Sequence, residues 1–189
     1  SNISFYFTVI NSDLHNAFAC PGGIVFVSSA LFKGMKDESE LACVLAHEVG
    51  HICHKHALAS IRRAKFFEGV SEITAATMKK DKGAEFKSMI GDLQTVLFDK
   101  GLDKNLEFEA DLTGMEIAYN TGYDPSGMIR VLNMLKSRQS TAHKSGSWFS
   151  THPPISERLS RCRRKLAAYP DADSLAKVRS RFEKYRKKI

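Results

Sequence analysis

Cysteine is scarce in this chain: Cys20, Cys43, Cys53 and Cys162 are the only four among 189 residues. They are too few and too scattered for a disulfide scaffold, and no CxxC pair marks a thiolate metal site. Cys43 and Cys53 fall on one predicted helix, about 15 Å apart at its rise per residue, beyond disulfide reach. All four are expected to be buried free thiols, and they assign no compartment. Long apolar runs are missing as well. No stretch nears the ~20 apolar residues that cross a bilayer as a helix. No charged, apolar and small-residue succession opens the chain in the manner of a signal peptide, and no internal repeat is visible.

Acidic residues are sparse at one end only. Residues 158–189 hold 12 Lys/Arg against 3 Asp/Glu, a net +9, while the whole chain carries +7, which leaves residues 1–157 near −2. Such a block suits anionic lipid headgroups or nucleic acid, but a solvated cationic helix is the commoner outcome. Its aromatics (Tyr169, Phe182, Tyr185) are too sparse to favour nucleic acid.

At this length one domain spanning 1–189 is expected, with a basic helical segment from about 156 onward. Strand-like segments come first, over 3–10, 15–20 and 24–28, separated by Asn11-Ser12-Asp13 and Pro21-Gly22-Gly23 turns. A short helix near 29–34 precedes a long one running from Asp37 into the sixties, with Asp37 and Glu40 forming a capping-box-like start. Residues 66–99 read as a helical hairpin insertion, and 104–120 as a helix capped by Asp103 or Asn105. A helix follows Asp124-Pro125 to about 138, residues 139–151 form a polar loop, and two helices finish the chain. The fold class is therefore α+β, mostly helical, with a small N-terminal sheet beside the long helix.

On that long helix lies His47-Glu48-Val49-Gly50-His51, an HExxH motif set in an apolar run. Residues four apart project from the same helical face, so His47 and His51 can take two corners of a zinc tetrahedron. Glu48, offset around the helix, can reach a water at the open corner. Two histidines and a glutamate on an otherwise apolar helix are costly without a partner, which favours the metal over an accidental match.

A third protein ligand should exist. A metzincin histidine six residues past His51 is excluded, because that position is Ala57. Cys20 lacks the context of a cysteine ligand. His54 and His56 can ligate only if the helix distorts, so surface or supporting places suit them better. Glu107 is the better candidate. It shares a helix face with Asp111, with Gly114 one turn on allowing close helix packing. Asp111 can then accept the free ring N–H of a ligating histidine. Glu109, on another face, fits a solvated helix start.

HEVGH followed by Glu107-Phe108-Glu109-Ala110-Asp111 resembles the HtpX-like and CAAX prenyl protease (Ste-type) family of zinc metallopeptidases, whose pattern is HExxH…ExxxD. Asn16-Ala17-Phe18-Ala19 with Pro21-Gly22-Gly23 is similar to that family's NAFA-x-PGG strand and turn. Asp37–Ala42 looks like its acidic helix start, and Ser150–Pro154 with Glu157-Arg158-Leu159 like its THPP-x-x-ER segment. The likeness runs from about residue 3 to 166. It implies that His47, His51 and Glu107 bind one Zn2+, that Glu48 is the general base, and that Asp111 supports a ligand. It implies for His152 a place near the metal, steadying an oxyanion or capping the zinc at rest. Arg158 either anchors that turn or a carboxylate, or is an ordinary surface arginine. The chain departs from the family in having Lys104 where Arg is frequent, and in lacking its membrane-spanning helices. An excised or processed catalytic domain is the expectation.

The function expected is a zinc metalloendopeptidase acting on unfolded or extended polypeptide. The alternative is a latent or non-cleaving, chaperone-like zinc module of the same fold. Asn16, Ala17 and Phe18, or the next strand, are the expected edge for an extended substrate. Trp148 and Phe149 are equally suited to a pocket or the core. The resemblance implies a cell-envelope location, periplasmic or membrane-associated. Membrane-surface contact through the basic end fits that place, and nucleic acid is not expected.

Overall fold

The computed structural model of the chain describes residues 3–67, 91, 102–138, 152 and 155–189. The loop over 139–151, with Trp148 and Phe149, lies outside the described residues, and so does the hairpin insertion over 66–99 apart from 66, 67 and 91. Three strands are described: β1 (Tyr6–Ile10), β2 (Ala17–Cys20) and β3 (Ile24–Ser28). Seven α-helices follow among the described residues: α1 (Ser29–Gly34), α2 (Glu38–Cys53), α3 (His56–Phe67), α4 (Lys104–Asn120), α5 (Gly127–Arg138), α6 (Ile155–Leu166) and α7 (Arg179–Arg186). The chain is α+β and mostly helical, as its patterning indicates.

The sheet order is β1-β3-β2, with β1 parallel and β2 antiparallel to β3. Gly22 and Gly23, both at φ +104°, turn β2 into β3. A Cβ on Gly23 would meet Ser4 O at 2.1 Å, so only glycine fits there. Ser28 N donates to Asn16 O at 2.9 Å. Antiparallel pairs alternate, so the amide groups of Ala17 and Ala19 point away from β3, toward the free edge of β2. The small side chains of Ala17 and Ala19 are buried, Ala17 in the main core and Ala19 beside Ile52 of α2.

Helix α2 runs through the middle of the molecule. Asp37 caps it by accepting from Glu40 N at 3.0 Å, and Glu40 reaches back to accept from Lys36 N at 2.8 Å. That reciprocal pair is the expected capping-box-like start. Arg130 of α5 ties it down, pairing with Asp37, Glu40 and Asp124. Beneath lies the main core, with Leu31, Met35, Val44, Met115, Met128, Leu132 and Phe182 buried. Two glycines set how closely α2 and α4 pass. A Cβ on Gly114 would sit 2.9 Å from His47 N, and one on Gly50 would sit 3.4 Å from the Ala110 Cα. That approach brings Glu107 against the two histidines.

The long helix predicted from Asp37 into the sixties is two helices. Its last turn closes with Lys55 N donating to Ile52 O, and Lys55 takes φ +58°, so α3 leaves in a new direction from His56. Strands β1 and β2 begin at Tyr6 and Ala17 rather than at 3 and 15. All four cysteines are free, but only Cys43 and Cys162 are buried; Cys20 is half-buried and Cys53 exposed. No described helix is long and apolar enough to cross a membrane.

Candidate metal centre and active site

His47 and His51 stand one turn apart on α2, their Nε2 atoms 2.9 Å from each other. Glu107 of α4 faces both: Oε2 is 3.6 Å from His47 Nε2 and Oε1 is 3.5 Å from His51 Nε2. His152 enters from the segment ahead of α6, with Nδ1 3.0 Å from both Glu107 oxygens and 3.5 Å from His47 Nε2. Ligand atoms of these four buried residues all lie within 4.8 Å of one another. His47, His51 and Glu107 are thus positioned for metal binding, and His152 stands at a fourth corner.

The residues fit a zinc ion. Burial first, then the Arg158 charge at His47 and the neighbouring His47 at His51, hold both imidazoles well below their ordinary range. They are neutral, with lone pairs available. Burial alone would raise Glu107, but His152 and Arg158 outweigh it and hold the carboxyl at about 2, so it is anionic. Two neutral imidazoles and one carboxylate are a zinc donor set. Each histidine also has a partner on its other ring nitrogen, the arrangement that fixes ligand tautomers. His47 Nδ1 is 3.0 Å from Asp111 Oδ1, and His51 Nδ1 is 2.8 Å from His56 Nδ1.

Glu48 is buried beside this group. Its Oε1 has no hydrogen-bond partner among the described residues, the His152 Nε2 standing 3.7 Å away. Burial lifts its carboxyl to about 7, against the opposing pull of His152. An orphan carboxylate oxygen in a polar corner calls for a water or a substrate atom. A cleft of about 710 Å³, counted out into solvent, opens here. Phe18, Ala19 and Pro21 line one wall, Ile52, Leu58 and Leu102 the other, with Glu48, His51 and His152 at its base.

Arg158 resolves between its alternatives. It is fully buried and clamps Asp111 through Nε and NH2 at 2.7 and 2.6 Å. NH1 lies 3.0 Å from Glu107 Oε2 and donates to His152 O at 3.0 Å. One side chain therefore anchors both the carboxylates and the backbone of His152. His56 takes the supporting place open to it in the sequence, because the break at Lys55 brings it beside His51. From there His56 Nε2 reaches Glu109 Oε2 at 3.1 Å, so Glu109 is not simply a solvated helix start.

The structure brings Glu48, His152, His47, His51, Glu107 and Asp111 together. Of the three expected edge residues, Ala17 O accepts from His152 Nε2 at 3.3 Å and Phe18 lines the cleft, stacking on Phe26. Asn16 is buried, its carbonyl held by β3.

Curated relatives carry the same span of sequence. A β-barrel assembly-enhancing protease of Yersinia pestis is 30% identical over 182 residues, 90% of this chain and 37% of that protein. A mitochondrial metalloendopeptidase OMA1 of Bos taurus is 32% identical over 160 residues, 81% of this chain and 31% of that protein. The OMA1 metalloendopeptidase of Schizosaccharomyces pombe is 27% identical over 163 residues, 84% of this chain and 46% of its own length. The chain thus spans less than half the length of these relatives. Residues 2–166 match the description Peptidase family M48, and the chain belongs to that family.

Proposed function

We propose that this chain is the catalytic domain of a zinc metalloendopeptidase acting on extended or unfolded polypeptide. The observation that carries the reading is the His47–His51–Glu107 set with the unpartnered, buried Glu48 oxygen beside it at the base of an apolar cleft. When bound there, zinc supplies a Lewis acid that acidifies water and polarises a scissile carbonyl. Glu48 is the base that takes the water proton and hands it to the departing amide nitrogen, a role suited to a carboxyl lifted toward neutrality. Asp111 and His56 hold the rings of His47 and His51 in register. Substrate lies along the free edge of β2, where Ala17 and Ala19 present backbone groups, with Phe18 and Asn16 shaping that edge.

His152 favours a second, latent reading of the same site. Its Nδ1 occupies the fourth corner and its Nε2 takes up Ala17 O, so one ring blocks both the water position and the substrate edge. The ring must turn away before cleavage, and in that turned position it can donate to a developing oxyanion. The further likeness to HtpX-like and CAAX prenyl proteases rests on the NAFA…PGG and THPP stretches, and a cell-envelope location with membrane-surface contact rests on that likeness and the +9 end.

Elemental analysis of wild type and Glu107→Ala, alongside unfolded-casein cleavage by wild type and Glu48→Gln, tests the proposal. One tightly held zinc, weakened by the first change, with cleavage abolished by the second, supports it. Zinc with no cleavage under any condition favours the non-cleaving, chaperone-like module.

A further inference from the structure

A second group of metal-type donors lies one layer out from the first: His54, His56 and Glu109, with a ligand atom from each within 4.8 Å of the others. Glu109 bridges the pair, Oε1 standing 3.4 Å from His54 Nδ1 and Oε2 standing 3.1 Å from His56 Nε2. Donor separations of about 3–3.5 Å are what a four-coordinate ion with ligand bonds near 2 Å requires. The two imidazole rings are stacked, their planes inclined by only 15° and their centroids 5.3 Å apart.

The backbone goes out of its way to make this arrangement. Residues two apart on a helix do not face each other. His54 and His56 do so because Lys55 between them adopts φ +58°, a left-handed conformation that disfavours a non-glycine residue. Such strain collects at functional sites. The supporting contacts also suit a ligand. His54 Nε2 is 2.9 Å from Thr113 Oγ1. Placing the ring hydrogen there, donated to the threonine oxygen, leaves the Nδ1 lone pair directed at the Glu109 side. His54 and Glu109 side chains are 35% and 51% exposed, so an ion can enter from solvent, while His56 is buried.

We propose that His54, His56 and Glu109 form a second site for a divalent transition-metal ion, zinc foremost, and that filling it inhibits the enzyme. Two imidazoles and one carboxylate with an open position select zinc, cobalt, nickel or copper over the oxygen-seeking calcium and magnesium. The inhibition follows from His56, which serves both groups. While His51 Nε2 ligates the first ion, its Nδ1–H donates to His56 Nδ1, and the His56 hydrogen sits on Nε2, toward Glu109. An ion on His56 Nε2 displaces that hydrogen. In the neutral ring it then sits on Nδ1, where it confronts the N–H of His51 and breaks the bond that fixes a primary ligand. The metal site stands independently; its inhibitory consequence rests on the peptidase reading above.

The test is zinc titration of the full chain and of His54→Ala, reading bound ions by calorimetry and by elemental analysis after equilibration with buffered zinc. Two ions for wild type and one for His54→Ala is the expected result. Glu109→Gln, which preserves the side-chain shape, weakens the second ion at least tenfold. Casein cleavage at one equivalent of zinc is equal in wild type and His54→Ala, whereas excess zinc slows wild type several-fold and leaves the variant unaffected. A second ion retained in His54→Ala, or a single ion in wild type, overturns the site. Two ions falling to one without relief of inhibition overturns the coupling through His56. Loss of the second ion in a chain that cleaves nothing upholds the site and refutes the peptidase reading instead.

Discussion

Glu48 costs the metal-free chain stability at neutral pH that it does not cost in mild acid. Burial raises its carboxyl from the ordinary 4.5 to about 7. A carboxyl that binds its proton more tightly when folded stabilises the protein fully below its unfolded pKa. That contribution is lost as pH climbs through the folded value. From pH 4.5 to above 7 the wild-type chain therefore gives up stability that Glu48→Gln keeps, because the amide never ionises. At about 1.36 kcal/mol per pH unit of displacement, the full difference is of order 3 kcal/mol. For a chain of this length that corresponds to roughly 6–12 °C in Tm. Thermal unfolding of both proteins in chelator, from pH 4 to 8.5, is the measurement. The gap between variant and wild type is small at pH 4 and widens to its plateau by about pH 8. Zinc narrows it, since a bound cation beside Glu48 supplies the missing countercharge. A gap that does not change with pH, or a variant no more stable at pH 8, refutes the claim that Glu48 is ionised at a cost in the folded chain.

The other expectations concern the frame around the site. Arg158→Met leaves Asp111 and Glu107 buried without their cation and costs about 3–5 kcal/mol in urea unfolding, and Arg158→Lys recovers only part because it cannot grip Asp111 with two nitrogens. Gly114→Ala drives a methyl against the backbone at His47, so stability falls by roughly 1–3 kcal/mol and zinc affinity falls with it, read by competition with a chromogenic chelator. Zinc removal lowers Tm by an amount that tracks free zinc concentration, as linkage requires; a Tm indifferent to zinc argues against a site at His47, His51 and Glu107.

What could be read from the chain divides along physical lines. Helical spacing alone puts His47 and His51 together, and Glu107 with Asp111, because those pairs are local and the 3.6-residue period is reliable. Gly114 was legible for the same reason: a glycine one turn beyond Asp111 permits close packing, and the missing Cβ is where His47 passes. Arg158 stayed ambiguous, since a basic helix offers many arginines and only tertiary packing shows which one is buried against Asp111. The break at Lys55 left no signal at all. Lysine is an ordinary helix residue, the apolar pattern continues through Ala57, Leu58 and Ile61, and a left-handed residue without glycine or asparagine has no sequence mark. That single dihedral angle hid the partnership of His51, His56 and Glu109.

His152 differs from the other donors in how it is held. His47, His51 and Glu107 ride on two helices whose spacing the Gly114 contact fixes, so their positions cannot change without unpacking the core. For His152 the anchored point is the backbone: Arg158 NH1 grips its carbonyl oxygen at 3.0 Å, while its ring meets the side chains of Glu107, His47 and Glu48 and the carbonyl of Ala17. Rotation about its side-chain bonds can therefore open the fourth corner while its backbone stays in place. A substrate strand that competes for Ala17 O displaces the ring from its resting place by that rotation. His152→Ala removes the block, and casein cleavage at saturating zinc rises several-fold while zinc affinity falls through loss of a ligand. If instead the ring's main work is to donate to the oxyanion, the same variant loses about 10²–10³ in kcat. The sign of the change separates the cap from the donor, and a fall of that size overturns the latent reading.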